Sequence, residues 1–257
     1  MSEKSVNMID DYVDFVRELE SRYDSIITAV APIGQQLTNR IRTSPEDKLL
    51  IIAHDTLKRL VCNIRVLKGI KISDDTCVAY RLILRATTAD LIECFYLLAV
   101  SEEKRDQEIW KRNLEGVRTL EIYVSEKKKF FEKIHPGSVD NIDISELRKK
   151  YHDYVDPETN EFYSKKKFKK LNTGDMIPTL IKDKSCAPEF EQLYINYRLL
   201  SLTEHFTTVA RNQSYNLPFD HYLTIDIVRW IALVSDVICR AIKEYLETGT
   251  IVIEKVE

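Results

Sequence analysis

Apolar residues recur at three- and four-residue steps along most of this chain, the period of helices that each bury one face. Ile9, Val13, Val16, Leu19, Tyr23, Ile26 and Val30 predict a long amphipathic helix that Pro32-Ile33-Gly34 kinks or ends. Ser44-Pro45-Glu46-Asp47 then reads as an N-cap, a first-turn proline and acidic residues opening a second helix. Its core stripe is Leu49, Ile52, Ala53, Leu57, Leu60, Ile64 and Leu67, and Gly69 closes it. A third helix, from 74 or 75 to 100, is apolar nearly all round, which predicts a central position. Ser101-Glu102-Glu103 starts a fourth, highly charged helix that reaches about 133, before His135-Pro136-Gly137 breaks the chain.

Between 136 and 187 the periodicity weakens. A short basic helix is expected at 144–155, followed by a stretch punctuated by Asp156-Pro157, Asn172-Thr173-Gly174 and Ile177-Pro178. This reads as a basic, loop-rich insertion within a single domain spanning 1–257. Pro188-Glu189 predicts the start of a helix ending near Asn212. The last helix, about 220–246, places Ile225, Val228, Trp230, Ile231, Val234, Val237, Ile238 and Ala241 inside, with Gly249 just past its end. No repeat and no alternating strand pattern of useful length interrupts this series. The expected class is therefore all-α, a bundle of about seven helices.

Within the helix that begins at 188, two rows run side by side. Ile195, Leu199, Leu202, Phe206 and Val209 form an apolar row; Tyr194, Arg198, Ser201, His205 and Thr208 form a polar row about 100° away round the axis. Arg198 and His205 differ by only about 20° in azimuth, so both point into one space beside the core. Two readings fit. In one, the face binds an RNA phosphodiester: His205 exchanges a proton with the 2′-hydroxyl or the leaving oxygen, Arg198 stabilises the charge developing on phosphorus, and Ser201 or Tyr194 orients the phosphate. In the other, the row is a polar seam between helices, with Arg198 paired to a carboxylate and His205 hydrogen-bonded inside a non-catalytic interaction module. In that module the charged fourth helix docks a protein partner.

An Arg followed by His after six residues, late in an all-α bundle, resembles the signature of the HEPN superfamily of prokaryotic helical nucleases and nucleotide-binding domains. The wider string Tyr194-x2-Tyr197-Arg198-x2-Ser201-x3-His205 is similar to one in bacterial helical proteins that pair it with an upstream R-x7-E helix, matched here by Arg85 and Glu93. The resemblance implies an HEPN-like fold, metal-independent RNA cleavage centred on Arg198 and His205, a role in toxin or phage-defence systems with a partner such as an antitoxin, and a homodimer. In catalytic members the residue after the Arg is typically polar; here it is Leu199.

Arg81, Arg85, Asp90 and Glu93 lie on the otherwise apolar third helix, where unpaired charge costs several kcal/mol. They are therefore expected to pair or to face a cleft, and to approach the double-row helix. One arrangement has Glu93 holding Arg198 or His205 while Arg85 joins an anion pocket; the other is a structural ion-pair network. Arg148-Lys149-Lys150 and the run Lys165, Lys166, Lys167, Lys169 and Lys170, with Tyr163 and Phe168 interleaved, form a basic patch. From 148 to 184 ten Lys or Arg stand against six Asp or Glu. Phosphate contacts with aromatic stacking would use this composition, and so would a solvated surface.

A net charge of -3 gives no global attraction to nucleic acid, so any anion-binding surface must be local. Five scattered cysteines without a C-x2-C pair are expected to be reduced and mostly buried, in a cytoplasmic setting. The polar, acidic stretch 1–11 and the charges within 82–100 predict neither a secretory leader nor a membrane span. His54-Asp55 lacks the upstream histidine of metal-dependent phosphohydrolases, and Glu132-x-x-His135 lacks the second half of a di-iron site. No cofactor or metal is expected, and Gly-rich phosphate-binding and nucleophile-elbow motifs are absent from the sequence.

Overall fold

The computed structural model describes residues 3–73, 76–134, 144–164, 167–201, 221–251 and 253. The described residues form eight α-helices: α1 (Glu3–Thr43), α2 (Lys48–Gly69), α3 (Cys77–Ala99), α4 (Glu102–Ile134), α5 (Ile144–Lys150), α6 (Thr173–Lys182), α7 (Glu191–Ser201) and α8 (His221–Thr248). The only sheet among them is a hairpin of β1 (Val155–Asp156) and β2 (Glu161–Phe162), paired antiparallel with Val155 opposite Phe162. The fold is all-α. One helix exceeds the seven expected because α6 lies inside the segment read as loop-rich. Its core face of Met176, Ile177 and Leu180 is short, and Pro178 masks the period.

The chain divides into two compact units, one of residues 1–100 with 172–257 and one of 101–171. In the first, α3 packs against α2, α6, α7 and α8, while α1 packs against α2 and α8. A helix apolar on nearly every side must be covered on every side, and α3 accordingly occupies the centre. In the second, α5 and the hairpin pack on α4 through Leu114, Val117, Leu147, Tyr154 and Phe162.

Several boundaries differ from the sequence pattern; α5, expected over 144–155, ends at Lys150 before a 3-10 turn at His152–Tyr154 and then β1. First, α1 continues through Pro32 to Thr43. Pro32 removes one backbone donor at a cost of about 3 kcal/mol, but the buried stripe of Leu19, Tyr23, Ile26 and Val30 carries on through Ile33 and Leu37. Each of those side chains contributes about 1.5–3 kcal/mol on burial, so continuing the helix wins. Second, α2 is capped by Asp47 rather than Ser44: its carboxylate accepts from the Leu50 amide at 3.1 Å. The Ser44 amide donates back to the Arg40 carbonyl and so finishes α1. Third, a short 3-10 turn, Pro188–Phe190, precedes α7. At the other end of the chain Gly249 sits at φ +73 and its amide reaches the Tyr245 carbonyl, the left-handed cap that a glycine past α8 predicts.

Candidate functional site

The core-facing side of α7 is Leu193, Asn196 and Leu200, all buried, whereas Ile195 is 49% and Leu199 38% exposed. The described part of the expected apolar row, Ile195 and Leu199, therefore faces outward. Leu193, Asn196 and Leu200 share a face about 115° away from it, so the true stripe is rotated and includes an amide. That amide hid the stripe from a hydrophobic count. Gln192 donates to Asn196 Oδ1 at 3.0 Å, and Asn196 Nδ2 has no partner among the described residues.

The described part of the polar row lies about 135° round the axis from this core stripe. Tyr194 and Ser201 are half-buried and Arg198 is exposed, with no hydrogen bond or ion pair among the described residues. Arg85, half-buried on α3, reaches the same face. Its Nε donates to Ser201 Oγ at 3.1 Å, its Nη2 donates to the Tyr197 hydroxyl at 3.3 Å, and its guanidinium carbon lies 5.2 Å from the Tyr197 ring centroid. The Ser201 hydroxyl gives its own proton to the Tyr197 carbonyl one turn back, at 2.7 Å. Ser201 thus accepts from Arg85 with its donor already used, which makes it a holder of the guanidinium. The Tyr197 phenol accepts from Arg85, and its proton has no acceptor among the described residues.

The first turn of α6 closes the other side. Thr173 donates to Glu93 Oε1 at 2.7 Å, placing a carboxylate at the positive end of a helix, where it is favoured. A side chain built at Gly174 would meet the Tyr194 and Tyr197 rings at 3.8 Å each, so α6 packs against both tyrosines. Among the expected site residues the structure therefore joins Arg85 to Ser201 and places Tyr194 beside α6, while Glu93 accepts from α6. Tyr197 and Thr173 were not singled out in advance. Tyr197 stood in the motif string, and Thr173 in the segment taken for a loop.

Asp90, one turn before Glu93, pairs with Arg59 of α2 at 2.8 Å. Burial pushes its carboxyl above the usual range, Arg59 opposes that shift, and Glu93 adds to it. His205 lies outside the described residues, as do Lys165, Lys166 and the second half of the polar row.

In the second unit the interleaved aromatic residues form a core. Trp110 packs against Tyr154, Tyr163 and Phe168 with ring centroids 5.6, 5.7 and 5.1 Å away. Lys150 and Lys167 lie over the Tyr151 and Phe168 rings at 5.3 and 5.5 Å. Tyr151, Tyr163 and Phe168 are only partly buried in this cluster. Lys170 pairs with Glu115, and Arg148 with Glu121, each at 2.8 Å. Lys149, Lys150, Lys167 and Lys169 remain exposed, with no carboxylate partner among the described residues.

The His54-Asp55 pair is a local contact at 3.3 Å, with the other ring nitrogen 3.1 Å from Thr38. All five cysteines are free thiols; Cys77, Cys94 and Cys239 are buried and Cys62 is exposed. Among the described residues no His, Cys, Asp or Glu group is placed to hold a metal, and no helix is long and apolar enough to cross a membrane. No protein-family model, curated protein or solved structure matches the chain.

Proposed function

We propose that this is an HEPN-like RNA-binding protein that holds an RNA phosphate on the polar face of α7 and cleaves the chain there without a metal. The observation supporting this reading is the convergence of Arg85, Tyr197 and Ser201 beside Arg198. A fixed cation, a phenol with a proton to donate and a solvent-exposed guanidinium share one helix face, the set of groups a phosphate recruits. In the proposed reaction His205 takes the proton of the 2′-hydroxyl and the 2′-oxygen bonds to phosphorus. The 5′-oxygen leaves with a proton from water, while Arg198 stabilises the added negative charge. Lys149, Lys150, Lys167 and Lys169, with Lys165 and Lys166 in the same run, add backbone contacts that carry no sequence information. The resemblance adds a homodimer and a toxin or defence role with an antitoxin-like partner.

The test compares the wild-type chain with His205→Ala and Tyr197→Phe on labelled RNA in the presence of a chelator, together with growth on expression. Cleavage and growth inhibition lost in His205→Ala, with RNA binding retained, support the reading. Equal degradation by wild type and His205→Ala, or none by either, removes the nuclease.

A second reading, a non-catalytic module with a polar network between helices, is favoured by the Ser201 hydroxyl, whose proton is already given to the Tyr197 carbonyl while it accepts from Arg85. It predicts that Ser201→Ala lowers the melting midpoint and leaves RNA affinity unchanged. The nuclease reading predicts weakened RNA affinity, because Arg85 loses its holder.

A further inference from the structure

The start of α6 is fixed from outside the helix. Asn172, the residue before it, has the extended backbone of an N-cap (φ -72, ψ 146), yet its side chain makes no capping bond. Thr173, which begins the helix, instead gives its hydroxyl proton to Glu93 Oε1 on α3 at 2.7 Å. Met176, Ile177 and Leu180 are buried and hold the ten-residue helix in the core. Apolar burial is non-directional, however, whereas a hydrogen bond to a charged acceptor is short and aimed. The bond to Glu93 therefore sets where the first turn lies, and the core face only keeps it inside.

What that turn touches gives the bond its consequence. Gly174, the next residue, lies against Tyr194 and Tyr197, close enough that an added methyl group would be in van der Waals contact with both rings. The Tyr197 hydroxyl accepts from Arg85 Nη2 at 3.3 Å, and Arg85 leaves α3 about two turns before Glu93. One helix thus holds its two neighbours: α3 reaches α7 through Arg85 and α6 through Glu93, while α6 packs on α7. We infer that Thr173 is a positioning residue for the α7 face: its bond to Glu93 seats the first turn of α6 against Tyr194 and Tyr197 and so keeps the Tyr197 hydroxyl within reach of Arg85. The consequence for RNA rests on the function proposed above; the seating of Tyr197 does not.

The test uses the full chain with 3-fluorotyrosine in place of Tyr197, read by fluorine NMR well below the melting midpoint, alongside RNA cleavage by the unlabelled chain. Thr173→Val keeps the branched shape and removes the hydroxyl; Thr173→Ser keeps the hydroxyl. Thr173→Val is expected to shift or split the fluorine resonance and to slow cleavage by about tenfold or more, the scale at which small misplacements of a binding group cost rate. Thr173→Ser should restore both. A second probe in place of Tyr245, whose hydroxyl meets Asp47 at the start of α2, should not move in either variant. If Thr173→Val does not fold, Thr173→Ala takes its place with the same expectation. A wild-type resonance at position 197 without the hydroxyl overturns the proposal, whatever the cleavage rate. So does Thr173→Ser behaving like Thr173→Val, and so does a shift of both probes together, which is general loosening. A resonance that moves with Thr173→Val and returns with Thr173→Ser, in a chain whose wild type neither binds nor cleaves RNA, upholds the seating of Tyr197 and removes the RNA reading alone.

Discussion

Arg85 and Ser201 lie 116 positions apart, yet the Arg85 Nε–H donates to the Ser201 hydroxyl at 3.1 Å, tying the central helix α3 to the end of α7. The same guanidinium lies over the Tyr197 ring and donates to its hydroxyl, so one planar cation is fixed by an edge contact and a face contact together. That geometry is open to arginine and closed to a lysine, whose single ammonium cannot span Ser201 and the Tyr197 hydroxyl while lying over the ring.

Arg85→Lys is therefore expected to destabilise the chain although it keeps the charge. Losing two charged hydrogen bonds and the ring contact at a half-buried site costs about 2 kcal/mol, a fall in melting midpoint of roughly 4–8 °C for a chain of this size. Calorimetry of the variant decides it. A midpoint within a degree of wild type would show that charge alone is needed there.

The buried hydroxyls of Tyr23 on α1 and Tyr80 on α3 are hydrogen-bonded to each other. Burial raises the Tyr80 phenol from 10.0 to about 12, and burial with the Tyr80 contact raises Tyr23 as well. Folded pKa values above the unfolded ones mean that this pair stabilises fully below pH 10 and progressively less as pH climbs from 10 toward 12. The melting midpoint should accordingly fall more steeply between about pH 9 and about pH 11, roughly one unit either side of the onset at 10, in wild type than in Tyr80→Phe. Parallel curves for the two proteins would exclude the pair as the cause.

How much of this was legible in the sequence follows from which residues carry a periodic signal. The approach of Arg85 to the α7 face was legible, because a charge on a helix apolar all round has few places to go. The direction α7 faces was not. Its buried stripe holds Asn196, a polar residue that a hydrophobic pattern assigns outward, while Ile195 and Leu199 supply an outward apolar pair that imitates a core. The course of α1 past Pro32 depended on Ile33 and Leu37 finding cover against other helices, a tertiary gain that local propensity does not contain. The Glu93–Thr173 bond required α6, whose ten residues have too few turns to declare a period.

Asp90 presents an ion pair that should not stabilise. It lies 2.8 Å from Arg59, yet burial outweighs that attraction and its carboxyl is held above the ordinary range, with Glu93 adding to the shift. A raised carboxyl contributes stability at low pH that is lost as pH rises through the ordinary carboxylate range, so at neutral pH the charged form is the unfavourable one. Asp90→Asn should keep or raise the melting midpoint at pH 7 and narrow the difference between acidic and neutral conditions. A clear fall at pH 7 would mean that the Arg59 attraction exceeds the cost of burial.

The lysines of the second unit divide into two classes that salt titration can separate. Lys170 is tied to Glu115 at 2.8 Å, whereas Lys149, Lys150, Lys167 and Lys169 are exposed without a carboxylate partner among the described residues. A phosphate contact releases condensed counterions, and each one lost lowers the slope of log affinity against log salt by about 0.7 for a single strand. Lys149→Ala and Lys169→Ala should each reduce the slope by about that amount, equally for every RNA sequence, because phosphate contacts carry no sequence information. Lys170→Ala should weaken binding by less than either, because its ammonium is already held by Glu115. Slopes unchanged in all three variants would show that these lysines make no phosphate contacts and serve only as a solvated surface.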